Sequence, residues 1–179
     1  MSTIEILSVI IGIISVYLTI KQNILCWVFG LVSCSLLSYY FFNAHFYTQM
    51  TLQLVSVFQC IYGIIRWNKI DTKEVKSIGY KKSFTLISIS MLIGVGVTLL
   101  TNSTNNNWLY LDGIGGIVAL LATYLLVMKV IESWWIFMIN NVMLITLSLH
   151  SGMYYIAFYN LILILLSISG YKEWKKELV

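Results

Sequence analysis

The sequence contains no proline and few charged residues, and each absence excludes something. Without proline, any bend in a helix must come from glycine. Charged residues make up 10% of the chain, where a soluble domain has roughly 25%, and 59% of the residues are hydrophobic. An ordinary water-soluble domain, a disordered chain and a nucleic-acid-binding protein are therefore excluded.

Groups for metal binding or catalysis are also scarce. The three cysteines, Cys26, Cys34 and Cys60, lie in apolar runs without metal-site spacing, where cysteine behaves as a small hydrophobic residue. Both histidines lie in predicted turns, and no Asp, Glu, Lys, Arg or His falls near the middle of a predicted span. An intramembrane enzyme needs a nucleophile with its base, a metal cluster or paired acids. The sequence therefore predicts no enzyme, no cofactor and no metal.

The chain is instead rich in long apolar stretches. A helix that crosses the membrane needs about 20 mostly apolar residues. The first stretch differs from a cleaved signal peptide because it begins with an acidic residue, Glu5. Seven stretches are predicted to span the bilayer: 4–20, 24–42, 48–66, 84–101, 110–128, 131–149 and 153–171.

The basic residues predict the orientation of these spans. With seven spans, all 11 lysines and arginines fall on one face, and cytoplasmic loops are the ones enriched in these residues. We therefore expect a multi-pass protein of the cell inner membrane with its N-terminus outside and its C-terminus in the cytoplasm. The residues that decide this are Lys21, Arg66, Lys69, Lys73, Lys76, Lys81, Lys82, Lys129, Lys172, Lys175 and Lys176.

The first three spans repeat in the last three at an offset of 107 residues, which takes Trp27 to Trp134. The same offset takes Gly63 to Gly170 and Trp67 to Trp174. The unmatched fourth span lets both copies run in the same direction. The sequence thus predicts an all-α integral membrane protein with seven transmembrane helices in a 3+1+3 parallel-repeat, SWEET-like arrangement. Its parts are the first repeat (1–69), a cytoplasmic loop with the linker helix (70–107) and the second repeat (108–179).

Amide side chains inside the predicted spans are candidate substrate-binding residues, with the asparagines near mid-depth and the glutamines one to two turns into the third span. An unpaired amide is costly in hydrocarbon, so each must face the bundle interior and find a partner. Two interpretations are open, a contact with substrate or a structural hydrogen bond between helices. Their similar depth in both repeats favours substrate contact. The candidates are Asn140, Asn141, Asn160, Gln49 and Gln53.

Aromatic residues accompany these amides. Trp134, Phe137 and Asn141 share one face of the sixth span, and Trp27 takes the equivalent place in the second. A flat aromatic ring beside an amide suits a flat, hydrogen-bonding or cationic ligand. Placement of Trp27 and Trp134 in the interfacial belt is the alternative. Belt anchoring is the favoured interpretation for the two tryptophans beside lysines at predicted helix ends, Trp67 and Trp174.

The runs YLTIKQNILCWVFG, FYTQMTLQLVSVFQCIYGIIRW, MKVIESWWIF and GYKEW resemble the PnuC-type vitamin-precursor transporters. The resemblance implies uptake of nicotinamide riboside by facilitated diffusion, a cytosolic kinase that traps the product by phosphorylation, and often a homotrimer. The absence of a titratable group at mid-depth agrees with uncoupled transport, with sodium coupling through backbone carbonyls as the alternative.

The resemblance also carries over to single residues. It implies substrate contacts by Asn141 and Gln53. Phe137 stands where members typically have tryptophan, as an aromatic substitute. Relatives of the same fold look like carriers for thiamine, riboflavin or deoxynucleosides, so thiamine or another vitamin or nucleoside is the alternative substrate. A membrane scaffold without transport is a third hypothesis.

Overall fold

The structure, a computed structural model, describes residues 3–43, 45, 47–69, 74–101 and 108–178. These residues form seven α-helices, each within a few residues of a predicted span, which confirms the all-helical prediction. The helices are α1 (Thr3–Ile20), α2 (Leu25–Asn43), α3 (Tyr47–Lys69), α4 (Tyr80–Thr101), α5 (Trp108–Val127), α6 (Glu132–His150) and α7 (Tyr154–Lys175).

Hydropathy separates these helices into three groups. Across the described residues, α2, α7 and the stretch Tyr80–Leu100 of α4 are long and apolar enough to cross a membrane. Shorter apolar stretches, Ile6–Ile20 and Gly113–Val127, belong to α1 and α5. The predicted amide candidates are concentrated in the remaining two helices, α3 and α6, and in α7. The least apolar helix, α3, is thus among those that carry the candidate binding residues.

The helices fall into two compact units, of which the first is Met1–Glu74. In this unit α2 packs against both α1 and α3. Two serine hydroxyls connect α1 and α2: Ser33 Oγ donates to the carbonyl of Ser8 (2.9 Å), and Ser15 Oγ donates to the carbonyl of Cys26 (2.7 Å). Small polar side chains of this kind hold helices together where neighbouring apolar surfaces supply no hydrophobic drive.

The second unit, Val75–Val179, contains α4 to α7, and each helix packs against the next. Close approach of α4 and α5 depends on glycine, since a Cβ on Gly94 would lie 2.6 Å from the Cα of Ile114. A Cβ on Gly113 would likewise collide with Thr98. The core of this unit consists of Ile87, Val118, Ala122, Leu125, Val130 and Ile136.

Turns at positions 107 residues apart have similar backbone geometry in the two units. Gln22 and Lys129, 107 positions apart, both have positive φ (51° and 56°). The bond from Asn23 N to Leu18 O (3.0 Å) has its counterpart from Val130 N to Leu125 O (2.9 Å). The next turn agrees as well, with φ of 60° and 72° at the equivalent positions His45 and Gly152. The two three-helix segments therefore share local backbone geometry as well as sequence.

Candidate functional site

A pair of perpendicular tryptophans forms in each unit at equivalent positions. The ring centroids of Trp27 and Trp67 lie 5.2 Å apart at 90°, and those of Trp134 and Trp174 lie 5.3 Å apart at 90°. All four side chains are buried, with Trp67 7% and Trp174 0% exposed. The belt interpretation is therefore wrong for Trp67 and Trp174, because a residue that anchors a helix at the lipid interface must reach the surface. It also fails for Trp27 and Trp134.

A glycine of the following helix makes room for each pair. A Cβ on Gly63 would lie 2.4 Å from Cδ2 of Trp27, and a Cβ on Gly170 would lie 2.5 Å from Cη2 of Trp134. The structure shows both glycines inside uninterrupted stretches of α3 and α7, where they serve as sockets for an indole ring. The equal offset between glycine and tryptophan in both repeats was the available sequence signal.

The sixth helix carries buried polar atoms without a partner. Asn140 and Asn141 are 2% and 4% exposed, and Oδ1 of Asn140 accepts no hydrogen bond from the described residues. This oxygen lies beside α5, 3.4 Å from where a Cβ on Gly115 would be. The indole Nε1 of Trp134 and the hydroxyl of Ser133 likewise lack a partner in the described chain. Buried polar atoms are normally hydrogen-bonded, so each of these groups has capacity for a ligand or water.

The other candidates differ in how their polar groups are used. Asn160 is buried, and its Nδ2 donates to the carbonyl of Ile156 (2.8 Å), so part of this amide serves its own helix. Gln49 and Gln53 are partly buried and one turn apart on α3, which places them on the same face. Phe137 is partly buried and packs against the core of the second unit. It therefore has a packing role, whatever it contacts in a substrate.

The candidates divide between the two units. Trp27, Gln49 and Gln53 belong to the first unit, and Nε1 of Trp27, like that of Trp134, has no partner among the residues that the structure describes. The other five lie in the second unit, with Trp134, Phe137, Asn140 and Asn141 on α6 and Asn160 on α7. In the residues that the structure describes, no group of three or more histidine, cysteine or acidic side chains could hold a metal ion.

Sequence reasoning missed the role of one acidic residue. Glu132, at the start of α6, is 4% exposed, and its carboxylate accepts hydrogen bonds from Ser77 Oγ (2.5 Å), Gly79 N (3.0 Å) and Ile78 N (3.3 Å). The donors lie more than 50 positions earlier in the chain, so no local pattern indicates the contact. The only signal is a glutamate that directly precedes an apolar run.

Comparisons with known proteins agree with this architecture. The family model described as nicotinamide mononucleotide transporter matches residues 2–176. The nicotinamide riboside transporter PnuC of Neisseria mucosa is 28% identical over 76% of this chain and 56% of its own length, and that of Escherichia coli is 21% identical over 97% and 85%. The chain thus spans little more than half of the Neisseria relative.

A solved structure is similar in fold. The crystal structure of the vitamin B3 transporter PnuC aligns with a TM-score of 0.77 at 22% identity, over 97% of this chain and 81% of that one. The resemblance noted in the sequence is confirmed by these matches, and the fold is that of a membrane transporter.

Proposed function

The chain belongs to the nicotinamide mononucleotide transporter family, and from this premise we propose that it carries nicotinamide riboside across the inner membrane. The observation that carries the proposal is the set of unpartnered polar atoms buried on α6, chiefly Oδ1 of Asn140 and Nε1 of Trp134. An amide acceptor suits the carboxamide N–H of nicotinamide. The buried indole rings suit its cationic pyridinium. The proposed contacts are those predicted from the sequence, Asn141, Phe137, Trp134, Gln53, Trp27, Asn160, Asn140 and Gln49.

The family description names a mononucleotide and the relatives' names a riboside, and charge favours the riboside. A phosphate inside the membrane needs basic partners, because an unpaired charge there is expensive. Basic residues of the described helices stand in the first or last turns, as do Lys81, Arg66 and Lys172. No such residue in the described helices is available near mid-depth to bind a phosphate group.

The proposed mechanism is facilitated diffusion without a chemical step in the protein. The described middle parts of the helices hold no carboxylate or imidazole that could carry a coupled proton. Uptake beyond equal concentrations then requires a sink, which a cytosolic kinase supplies by phosphorylating the riboside. A homotrimer, as the family resemblance implies, is part of the proposal.

For the architecture we propose the 3+1+3 arrangement with parallel repeats, α4 being the linker helix. The support is the equal geometry of the two turns and of the two tryptophan–glycine sockets. The proposed orientation has the N-terminus outside and the C-terminus in the cytoplasm, and the distribution of the basic residues supports it.

This orientation predicts the accessibility of introduced tags. A cysteine added to the N-terminus should react with an impermeant maleimide in intact cells, and one added after Val179 should react only after the cells are opened. Both cysteines are introduced into a variant in which the three native cysteines are replaced by serine. This cysteine-free variant is the unlabelled control. Labelling of both ends from outside would contradict the seven-span orientation.

Transport itself is tested in proteoliposomes that contain no kinase. We expect labelled nicotinamide riboside to enter until its internal and external concentrations are equal, with no change when an ionophore abolishes ion gradients. Nicotinamide mononucleotide should enter at least tenfold more slowly. Accumulation above the external concentration would contradict uncoupled transport.

The same experiment decides between the riboside and its rivals. Phe137 at the position where the family typically has tryptophan is the observation that keeps thiamine as a second candidate. Faster uptake of thiamine than of nicotinamide riboside would replace the substrate and leave the fold unchanged. Absence of uptake for every vitamin and nucleoside offered would favour a scaffold.

A further inference from the structure

The strongest feature outside the candidate site is the contact between Glu132 and residues 77–79, which we call the α4–α6 joint. Its carboxylate accepts three hydrogen bonds, two on Oε1 from Ser77 Oγ and Gly79 N and one on Oε2 from Ile78 N. Glu132 is buried, and a buried carboxylate requires such compensation. We infer that Glu132 is a positioning residue that holds the first turn of α6, and with it the substrate-contacting face of that helix.

The joint lies between two helix N-termini. Glu132 is the first residue of α6, whose N-cap Ile131 makes no side-chain capping bond. The peptide N–H groups it accepts from directly precede Tyr80, the first residue of α4, and α4 has no acidic residue in its own first turn. A negative charge stabilises a helix at its N-terminus, so one carboxylate complements the dipoles of both helices.

Backbone pairing fixes the same segment from both sides. Lys76 N donates to Lys129 O (2.9 Å), and Ile131 N donates to Lys76 O (2.9 Å), which joins the segment to the turn before α6. Val75 is fully buried, and its N–H lies 3.4 Å from Glu177 O beyond the end of α7. The segment before α4 is therefore attached to the turn before α6 and to the chain after α7, with Glu132 as its side-chain contact.

The joint is close to the residues proposed to bind substrate. Trp134 lies two residues after Glu132, and Asn140 and Asn141 follow on the same continuous helix. A rotation of the first turn of α6 would turn all of these side chains together, because a helix transmits rotation along its axis. The repeat equivalent of Glu132 is Leu25, which is 48% exposed. The first repeat thus has no carboxylate at this position, and the joint is particular to the second unit.

The test compares Glu132→Gln with the wild type in the full chain. Glutamine keeps one acceptor but turns an N–H₂ group toward the N–H donors of the joint, so the joint should loosen. We expect faster hydrogen–deuterium exchange over residues 77–79 and 133–137. Resting on the proposed function, we also expect the KM for nicotinamide riboside uptake to rise at least about fivefold with a smaller change in maximal rate. Glu132→Asp, which retains the charge, should recover part of the affinity.

The matched control is Glu173→Gln, which removes the same charge from a side chain that is 39% exposed at the end of α7. It should leave both exchange and KM at the wild-type values. Wild-type exchange over 133–137 in Glu132→Gln, or a wild-type KM, would overturn the inference. If the wild type itself takes up no nicotinamide riboside, the proposed substrate is wrong, and exchange over 133–137 alone decides whether the joint holds α6.

Discussion

Changing Gly170 to alanine should destabilise the protein by about 1–3 kcal/mol, the usual cost of forcing an extra methyl group into a packed interior. The added Cβ would lie 2.5–2.6 Å from three atoms of the Trp134 ring, closer than real Cβ atoms come to any neighbour. That ring is fully packed, with Trp174 against it at 90°, so it has little room to move. The effect is measured as a lower unfolding temperature, with size-exclusion chromatography used to monitor the loss of folded protein on heating.

Two further variants make this result specific. Gly63→Ala should cost a similar amount, because its Cβ would meet the Trp27 ring at 2.4 Å. Gly96→Ala, in α4, has no atom within 4 Å of its Cβ and should raise stability by up to about 1 kcal/mol, as alanine favours a helix over glycine. Equal stability of the variants at positions 170 and 96 would show that Gly170 is not a socket.

Changing Asn140 to leucine should abolish most transport without destabilising the protein. The variant removes a buried acceptor that has no partner in the described chain, and replacing such an atom by an apolar group costs little or is favourable. If Oδ1 binds the carboxamide of the substrate, uptake of nicotinamide riboside should fall at least tenfold, equivalent to about 1.4 kcal/mol. Unfolding temperature and uptake, measured on the same preparation, separate the two effects.

The comparison decides between the two interpretations of the amides. If Asn140 makes a structural hydrogen bond between helices, its substitution should lower the stability of the protein and leave the transport rate unchanged. Asn140→Ala removes the same oxygen and introduces a smaller side chain. It controls for a loss of transport caused by a poor steric fit of leucine. Thr146→Val is the control on α6, because that hydroxyl is exposed and bonds only to Val142 O in its own helix. Wild-type uptake by both Asn140 variants would reject the proposed contact.

The helices could be predicted from sequence because their cause is local. An apolar run of about 20 residues without proline forms a helix in a membrane whatever surrounds it, since its backbone must satisfy its own hydrogen bonds there. The repeat could also be predicted from the sequence. Matches between apolar residues such as leucine and isoleucine mean little in this composition, whereas the match of Trp27 with Trp134 is distinctive.

Partners that lie far apart in sequence could not be predicted in this way. Trp67 and Trp174 stand beside lysines, as interfacial tryptophans do, and only the packing of α2 on α3 and of α6 on α7 buries them. The hydrogen bonds of Glu132 could not be predicted, because their donors belong to a segment more than 50 positions earlier in the chain. For Asn140, the sequence gives the amide and its depth, and only the structure shows which of its atoms has no partner.

The perpendicular indole pairs have an optical consequence. Four of the six tryptophans are held in two buried, edge-to-face dimers, and buried indoles emit at shorter wavelengths than hydrated ones. The natural fluorescence of the chain thus reports chiefly on how tightly α2 and α6 seat against α3 and α7. If substrate binding loosens either helix pair, the emission of these tryptophans shifts to longer wavelength, and no attached dye is needed to follow it.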